Sequence, residues 1–175
     1  MANDDLIVFD SEPEAPAVPL EYWKVLVVDD DQDVHRATRY SLAECAVLGR
    51  SLQFLSAFSA AEAALLLDQH RDTAVILLDV VMEDETAGLR LVRTIRQELN
   101  LPDVRIVLRT GQPGYAPEEE AIRDYDINDY KSKNELTHTR LLTTITAAIR
   151  SFAYIRALAD GRKDLERIVD ASSDL

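Results

Sequence analysis

The sequence predicts an α/β protein: a five-stranded parallel sheet with helices on both faces, continued by an extended C-terminal helix. Three observations carry that prediction. Short apolar runs alternate with amphipathic stretches from Lys24 onward, one run (AVILLD, 74–79) is almost unbroken, and an apolar stripe that begins after Leu136 continues past Gly161. Strands separated by helices pair in parallel because right-handed crossovers lay the helices over the sheet, and a strand covered on both faces reads as a continuous apolar run.

The elements follow in chain order. VLVV at 25–28 reads as a first strand, and Val34, Ala37, Ser41, Cys45 and Leu48 then recur at helical spacing until Gly49 closes the helix. LQFLSA at 52–57 is the second strand, and Ser59 with Glu62 three residues later is a capping box that opens an alanine-rich helix. AVILLD is the third strand; Leu89, Val92, Ile95 and Leu99 mark a third helix, ended by Asn100 and Pro102. VRIVLR at 104–109 is the fourth strand, after which Gly111, Pro113 and Gly114 break the chain before Pro117 opens a short helix with three glutamates in its first turn. INDYKS at 127–132, polar for a strand, is the fifth. Leu141, Leu142, Ile145, Ile149, Phe152, Ile155 and Leu158 make the long final stripe, which Leu165, Ile168 and Val169 resume.

At 175 residues the chain suits one domain with extensions. Residues 1–22 are expected to be a disordered acidic leader: up to Glu21 they hold three of the six prolines and no Lys or Arg. The domain is expected over 23–155, and 156–175 as a helical linker toward an output domain. Acidic residues outnumber basic ones 32 to 19, for a net charge of -13, which opposes nucleic-acid binding and favours a cation or a basic partner. Cys45 is the only cysteine, so disulfide frameworks and thiolate metal sites are excluded, and a lone thiol fits the cytoplasm. No apolar run approaches the ~20 residues of a membrane span, and no signal peptide is evident; neither nucleic acid nor membrane is expected as a partner.

In open parallel sheets the working site lies beyond the carboxyl ends of the strands. There the predicted strands bring Asp29 and Asp30 from the first, Asp79 from the third, Thr110 from the fourth and Lys131 or Lys133 from the fifth. Three gathered carboxylates resist ionising together unless a cation offsets them. A hard divalent ion with oxygen ligands is the natural remedy, and Mg2+ (or Mn2+), which takes one or two carboxylates plus a phosphate oxygen, points to phosphoryl chemistry. An aspartate can itself be the nucleophile when cations stabilise the transferring group. Asp31 and Asp33 read more simply as favouring the start of the first helix. His35, His70 and His138 are scattered and take no ligand role.

Taken together, VLVVDDD, ILLDVVM, IVLRTG and INDYKSK resemble the response-regulator receiver domain of two-component signalling, over roughly residues 23–155. The resemblance implies a flavodoxin-like sheet of strand order 2-1-3-4-5, with Asp79 as phospho-acceptor, Asp30 as a direct metal ligand and Asp29 acting largely through water. Val81 would offer its backbone carbonyl to the metal. Thr110 matches the switch hydroxyl, Tyr130 the aromatic residue coupled to it, and Lys133, three residues after Tyr130, the lysine. A sensor histidine kinase or phosphotransfer protein is the implied donor; separately, the long C-terminal helix points to a homodimer formed through it. Such a domain phosphorylates and dephosphorylates itself without acting on an outside substrate. The pattern departs at Asn134, which replaces a proline, at Glu83, at the Asp126-Ile127 pair, at Arg109, which adds a charge at the mouth of the site, and over 111–125, where loop replaces part of the fourth helix. The alternative is a Mg-dependent phosphatase of the haloacid dehalogenase type using Asp29 and Asp31, a reading that leaves Asp79 unexplained.

Overall fold

The computed structural model describes residues 22–111, 127–132 and 137–173. The strands are β1 (Tyr22–Val28), β2 (Ala46–Val47), β3 (Arg50–Ala57), β4 (Val75–Asp79), β5 (Arg105–Thr110) and β6 (Asp129–Ser132). Between and after them lie α1 (Gln32–Leu42), α2 (Ala60–Gln69), α3 (Ala87–Arg93) and α4 (His138–Ser173). They form one sheet of order β2-β3-β1-β4-β5-β6. Every pairing is parallel except β2 with β3, so the five expected strands stand in the expected order and β2 is an addition at one edge. The polar segment INDYKS supplies β6 as expected. The helix expected after Pro117 lies outside the described residues.

β2 corrects the expectation that α1 runs on to Leu48. The helix ends at Leu42, and Val47 instead pairs with Arg50 across a two-residue turn in which Leu48 and Gly49 have φ of 50° and 78°. Two successive positive φ values match the right-handed twist of a tight hairpin. Leucine is an unusual first residue there, so the sequence carries little signal for it. Tertiary contacts hold the hairpin: the Trp23 indole N–H donates to the Val47 carbonyl at 2.7 Å, and the Arg50 guanidinium lies 4.6 Å above the Trp23 ring. Burial pushes the pKa of half-buried Cys45, between α1 and β2, above its ordinary value, with a smaller push from Glu44.

The buried face of α1 also differs from the expected one. His35, Thr38 and Leu42 face inward, whereas Ala37 is exposed. Apolar periodicity misplaces the face by one residue because two of its three inward positions are polar. The cap is as read: Asp31 accepts from the Asp33 amide at 2.8 Å, and Asp33 sits in the first turn. At α2, Ser59 accepts from the Glu62 amide at 3.1 Å while the Glu62 carboxylate accepts from Phe58 N–H at 2.8 Å. The reciprocal bond thus reaches one residue further back than in the usual box. After α3 the helix widens into a π turn over Thr94–Glu98, and Asn100, at φ 52°, ends it.

Two apolar layers sandwich the sheet. Leu26, Val28, Ile76, Leu78, Ile106 and Leu108 pack on one face with Ala63 and Leu67 of α2 and Leu91 and Val92 of α3. Val25, Val27, Val75, Leu77 and Val107 pack on the other with Leu42 of α1 and Leu141, Ile145, Ile149 and Phe152 of α4. α4 runs unbroken through Gly161, and beyond Phe152 its large apolar side chains Tyr154, Leu158, Leu165 and Ile168 are exposed. By length and composition alone its stretch His138–Ile168 could also cross a bilayer, which the sequence reading did not anticipate; 33% of its most apolar window is buried within this protein.

Candidate functional site

β1 and β4 are central neighbours, in register from Val25 with Val75 to Val28 with Leu78. Their carboxyl ends therefore stop side by side, and the acids that follow are carried to one place. Asp29, Asp30 and Asp79 each offer an oxygen within 4.8 Å of the others. Asp29 and Asp79 are buried at 1% and 3% exposure, whereas Asp30 is exposed. Thr110 ends the next strand, β5, and is fully buried. This donor set fits a hard divalent cation, being oxygen only, and water or a phosphate could complete the shell.

Backbone groups orient the two buried acids. Asp29 accepts from the Asp31 amide at 3.0 Å and Asp79 from the Val81 amide at 3.3 Å. Val81 is half-buried next to the site. Of the remaining predicted residues, Tyr130 is described by its backbone alone, in β6 beside Leu108. Lys133 and Asn134 lie outside the described residues.

The loop after Asp79 is braced by charge. Glu83 accepts from Ala60 N–H at 2.8 Å, placing its carboxylate at the start of α2, where the helix dipole favours it. Asp84 takes both guanidinium nitrogens of Arg90, at 2.9 and 2.6 Å, and also the Thr86 amide. The Arg90 bond chiefly, then the Thr86 amide, hold the Asp84 carboxyl far below the usual carboxylate range. Gly88 closes the loop: its amide donates to the Val80 carbonyl at 3.1 Å, and a Cβ there would meet the Asp79 carbonyl oxygen at 2.2 Å. Sequence reasoning passed over this residue, because a lone glycine in a helical pattern is tolerated at a small cost and does not by itself signal close approach.

Arg109 does not stand at the mouth of the site. It is the register partner of Asp79 across β4 and β5, so the two side chains leave the sheet on the same face, and it is 7% exposed. Its guanidinium donates to Thr38 Oγ1 of α1 at 3.1 Å. Burial pushes its pKa down, while Asp29 and then Asp79 pull it back up by attraction. One turn earlier on α1, His35 lies 3% exposed, with Nε2 2.8 Å from the Asp29 carbonyl and Nδ1 3.1 Å from Ser56 Oγ. A carbonyl only accepts, so Nε2 carries the proton. The inward polar face of α1 thus serves the strand tips, which periodicity of apolar residues could not reveal.

A doubly wound parallel sheet with clustered acids beyond its strand tips defines a flavodoxin-like class of α/β domain. A family model for the response regulator receiver domain matches residues 25–146, and the chain belongs to that family, whose members are phosphorylation-dependent regulatory modules of two-component signalling that bind Mg2+ in an acidic pocket. It is 43% identical over 155 residues to the 3'3'-cGAMP-specific phosphodiesterase 2 of Vibrio cholerae, a match covering 89% of this chain and 30% of that protein. The chain therefore spans under a third of that relative. Among solved structures it is similar in fold to an adenylate cyclase from Rhodopirellula baltica, with TM-score 0.70, 18% identity and coverage of 82% of this chain and 98% of that one. It is similar in fold also to the signal receiver domain of an HD domain-containing protein from Pseudomonas fluorescens, with TM-score 0.64, 23% identity and coverage of 83% and 98%.

Proposed function

We propose that this chain is a phosphorylation switch whose acceptor is Asp79, charged by a sensor histidine kinase or phosphotransfer protein. The observation that carries the reading is the meeting of Asp29, Asp30 and Asp79 at the tips of β1 and β4, beside buried Thr110. An Asp79 carboxylate oxygen attacks the phosphorus of the donor's phosphohistidine; the P–O bond forms as the P–N bond breaks, and the departing imidazole nitrogen keeps the electron pair and takes a proton. Asp30, Asp79 and the Val81 carbonyl would hold Mg2+ or Mn2+, with Asp29 contributing largely through water. A bound divalent ion supplies positive charge to the phosphoryl oxygens. Thr110 and Lys133 donate to the new oxygens, and Tyr130 responds to Thr110, which shifts a two-state equilibrium.

The receiver is assigned to 23–155, after an acidic leader at 1–22, in a cytoplasmic protein. Residues 156–175, of which those to Ser173 continue α4, serve as a linker toward an output module, and the name of the Vibrio relative suggests cyclic-dinucleotide hydrolysis as the activity so controlled. The exposed Leu158 and Leu165, one heptad apart on α4, support pairing of two copies along this helix. Nothing favours the phosphatase alternative, since the Asp31 carboxylate is engaged in capping α1.

The test is labelling by a small acyl phosphate with Mg2+, read by intact mass. The natural chain and Asp31→Asn are expected to take one phosphoryl group and Asp79→Ala none; undiminished labelling of Asp79→Ala removes the assignment.

A further inference from the structure

We propose that Arg109 is a fixed internal counter-ion of the acidic site, oriented through Thr38, which sets how tightly the site takes a divalent cation. The inference rests on the reading of Asp29, Asp30 and Asp79 as a metal site, and it concerns a residue that this reading leaves unused.

The geometry leaves Arg109 few alternatives. It is rooted opposite Asp79 in the β4–β5 register, on the same face of the sheet, and its guanidinium is enclosed between the strand tips and α1. One arm is fixed by the Thr38 hydroxyl at 3.1 Å, while Nε is buried with no hydrogen-bond partner among the described residues. A buried guanidinium remains charged and is expensive without a compensating field. The field here comes from Asp29 and Asp79, the two carboxylates that attract it. Thr38 is in turn positioned by α1, which His35 ties to the Asp29 carbonyl one turn earlier.

A permanent cation beneath two buried carboxylates has a definite consequence. Its charge opposes theirs across the site, and it repels the metal that they attract. The site is thereby held in shape when empty and binds its ion more loosely than three carboxylates alone would. Metal occupancy then depends more strongly on what arrives with it, above all the phosphoryl oxygens.

The experiment is calorimetric titration of the 175-residue chain with Mg2+ and with Mn2+, comparing the natural protein with Arg109→Met, Arg109→Gln and Arg109→Lys. Circular dichroism and melting are recorded for each variant. Removing the charge in Met or Gln is expected to tighten Mg2+ binding by about tenfold or more and to enlarge the rise in melting temperature that Mg2+ produces. Lys, which keeps the charge, is expected to stay within about threefold of the natural protein. Should Met not fold, the comparison of Gln with Lys decides the matter. Equal or weaker binding by folded Met and Gln overturns the role of Arg109, while acyl-phosphate labelling, if intact, leaves the assignment of Asp79 standing. If neither the natural chain nor any variant binds a divalent ion, both the counter-ion and the metal site fall. Binding that appears only in Met and Gln supports the counter-ion and removes the metal from the natural site.

Discussion

At the scale of single residues, the acidic site depends on polar groups that touch no phosphate. His35 joins the Asp29 carbonyl to Ser56, whose hydroxyl also accepts from Arg39 at 2.9 Å, and its ring lies 4.4 Å from that of Phe58. His35→Leu keeps the bulk but leaves the Asp29 carbonyl without this buried donor. A loss of about 1–3 kcal/mol in urea unfolding is expected, the cost of a buried polar group left unsatisfied. Slower acyl-phosphate labelling should accompany it, because Asp29 is no longer held. The acids themselves were legible from sequence, since Asp29, Asp30 and Asp79 end strongly apolar runs. Their supports were not, since a buried His, Thr or Arg looks like a surface residue until its partners are known.

At the scale of elements, the seam between β4 and α3 is a tight joint beside the site. Alanine usually stabilises a helix relative to glycine by about 0.5–1 kcal/mol. At Gly88 the sign should reverse: the new methyl meets the Asp79 carbonyl oxygen at 2.2 Å and the Val80 Cα at 2.8 Å, both backbone atoms that cannot swing aside. Gly88→Ala is expected to lose about 1–3 kcal/mol, as overpacked sites do, and to impair labelling by displacing the backbone of Asp79. Gly161→Ala, with nothing within 4 Å of the added methyl, should instead gain the ordinary helical increment. Thermal unfolding of the two variants side by side reads both signs; equal shifts would contradict the close-approach argument.

At the scale of the whole molecule, α4 is one continuous helix with two environments. Up to Phe152 it is part of the core, where Phe152 meets Trp23 edge-on at 6.2 Å; beyond, Leu165 is 65% exposed. Phe152→Ala is therefore expected to cost about 3–5 kcal/mol, and Leu165→Ala to change monomer stability by no more than about 0.5 kcal/mol. Denaturant unfolding at low protein concentration measures both. A large loss from Leu165→Ala that grows with protein concentration would locate its value in association between copies instead.

The chain order of the five parallel strands and the first three helices, the capping residues Asp31 and Ser59 and the gathering of acids at the strand ends were all determined by sequence alone. Each follows from local chemistry: apolar period, side chains that bond their own backbone, and charge at the end of an apolar run. The hairpin at Leu48-Gly49, the inward face of α1, the close approach at Gly88 and the burial of Arg109 against Asp79 were decided only by tertiary structure. Their cause is pairing between residues distant in the chain, Trp23 with Val47, Thr38 with Arg109 and Gly88 with Val80. No local pattern encodes such pairs, because the energy that selects them appears only once the sheet has brought its strands into register.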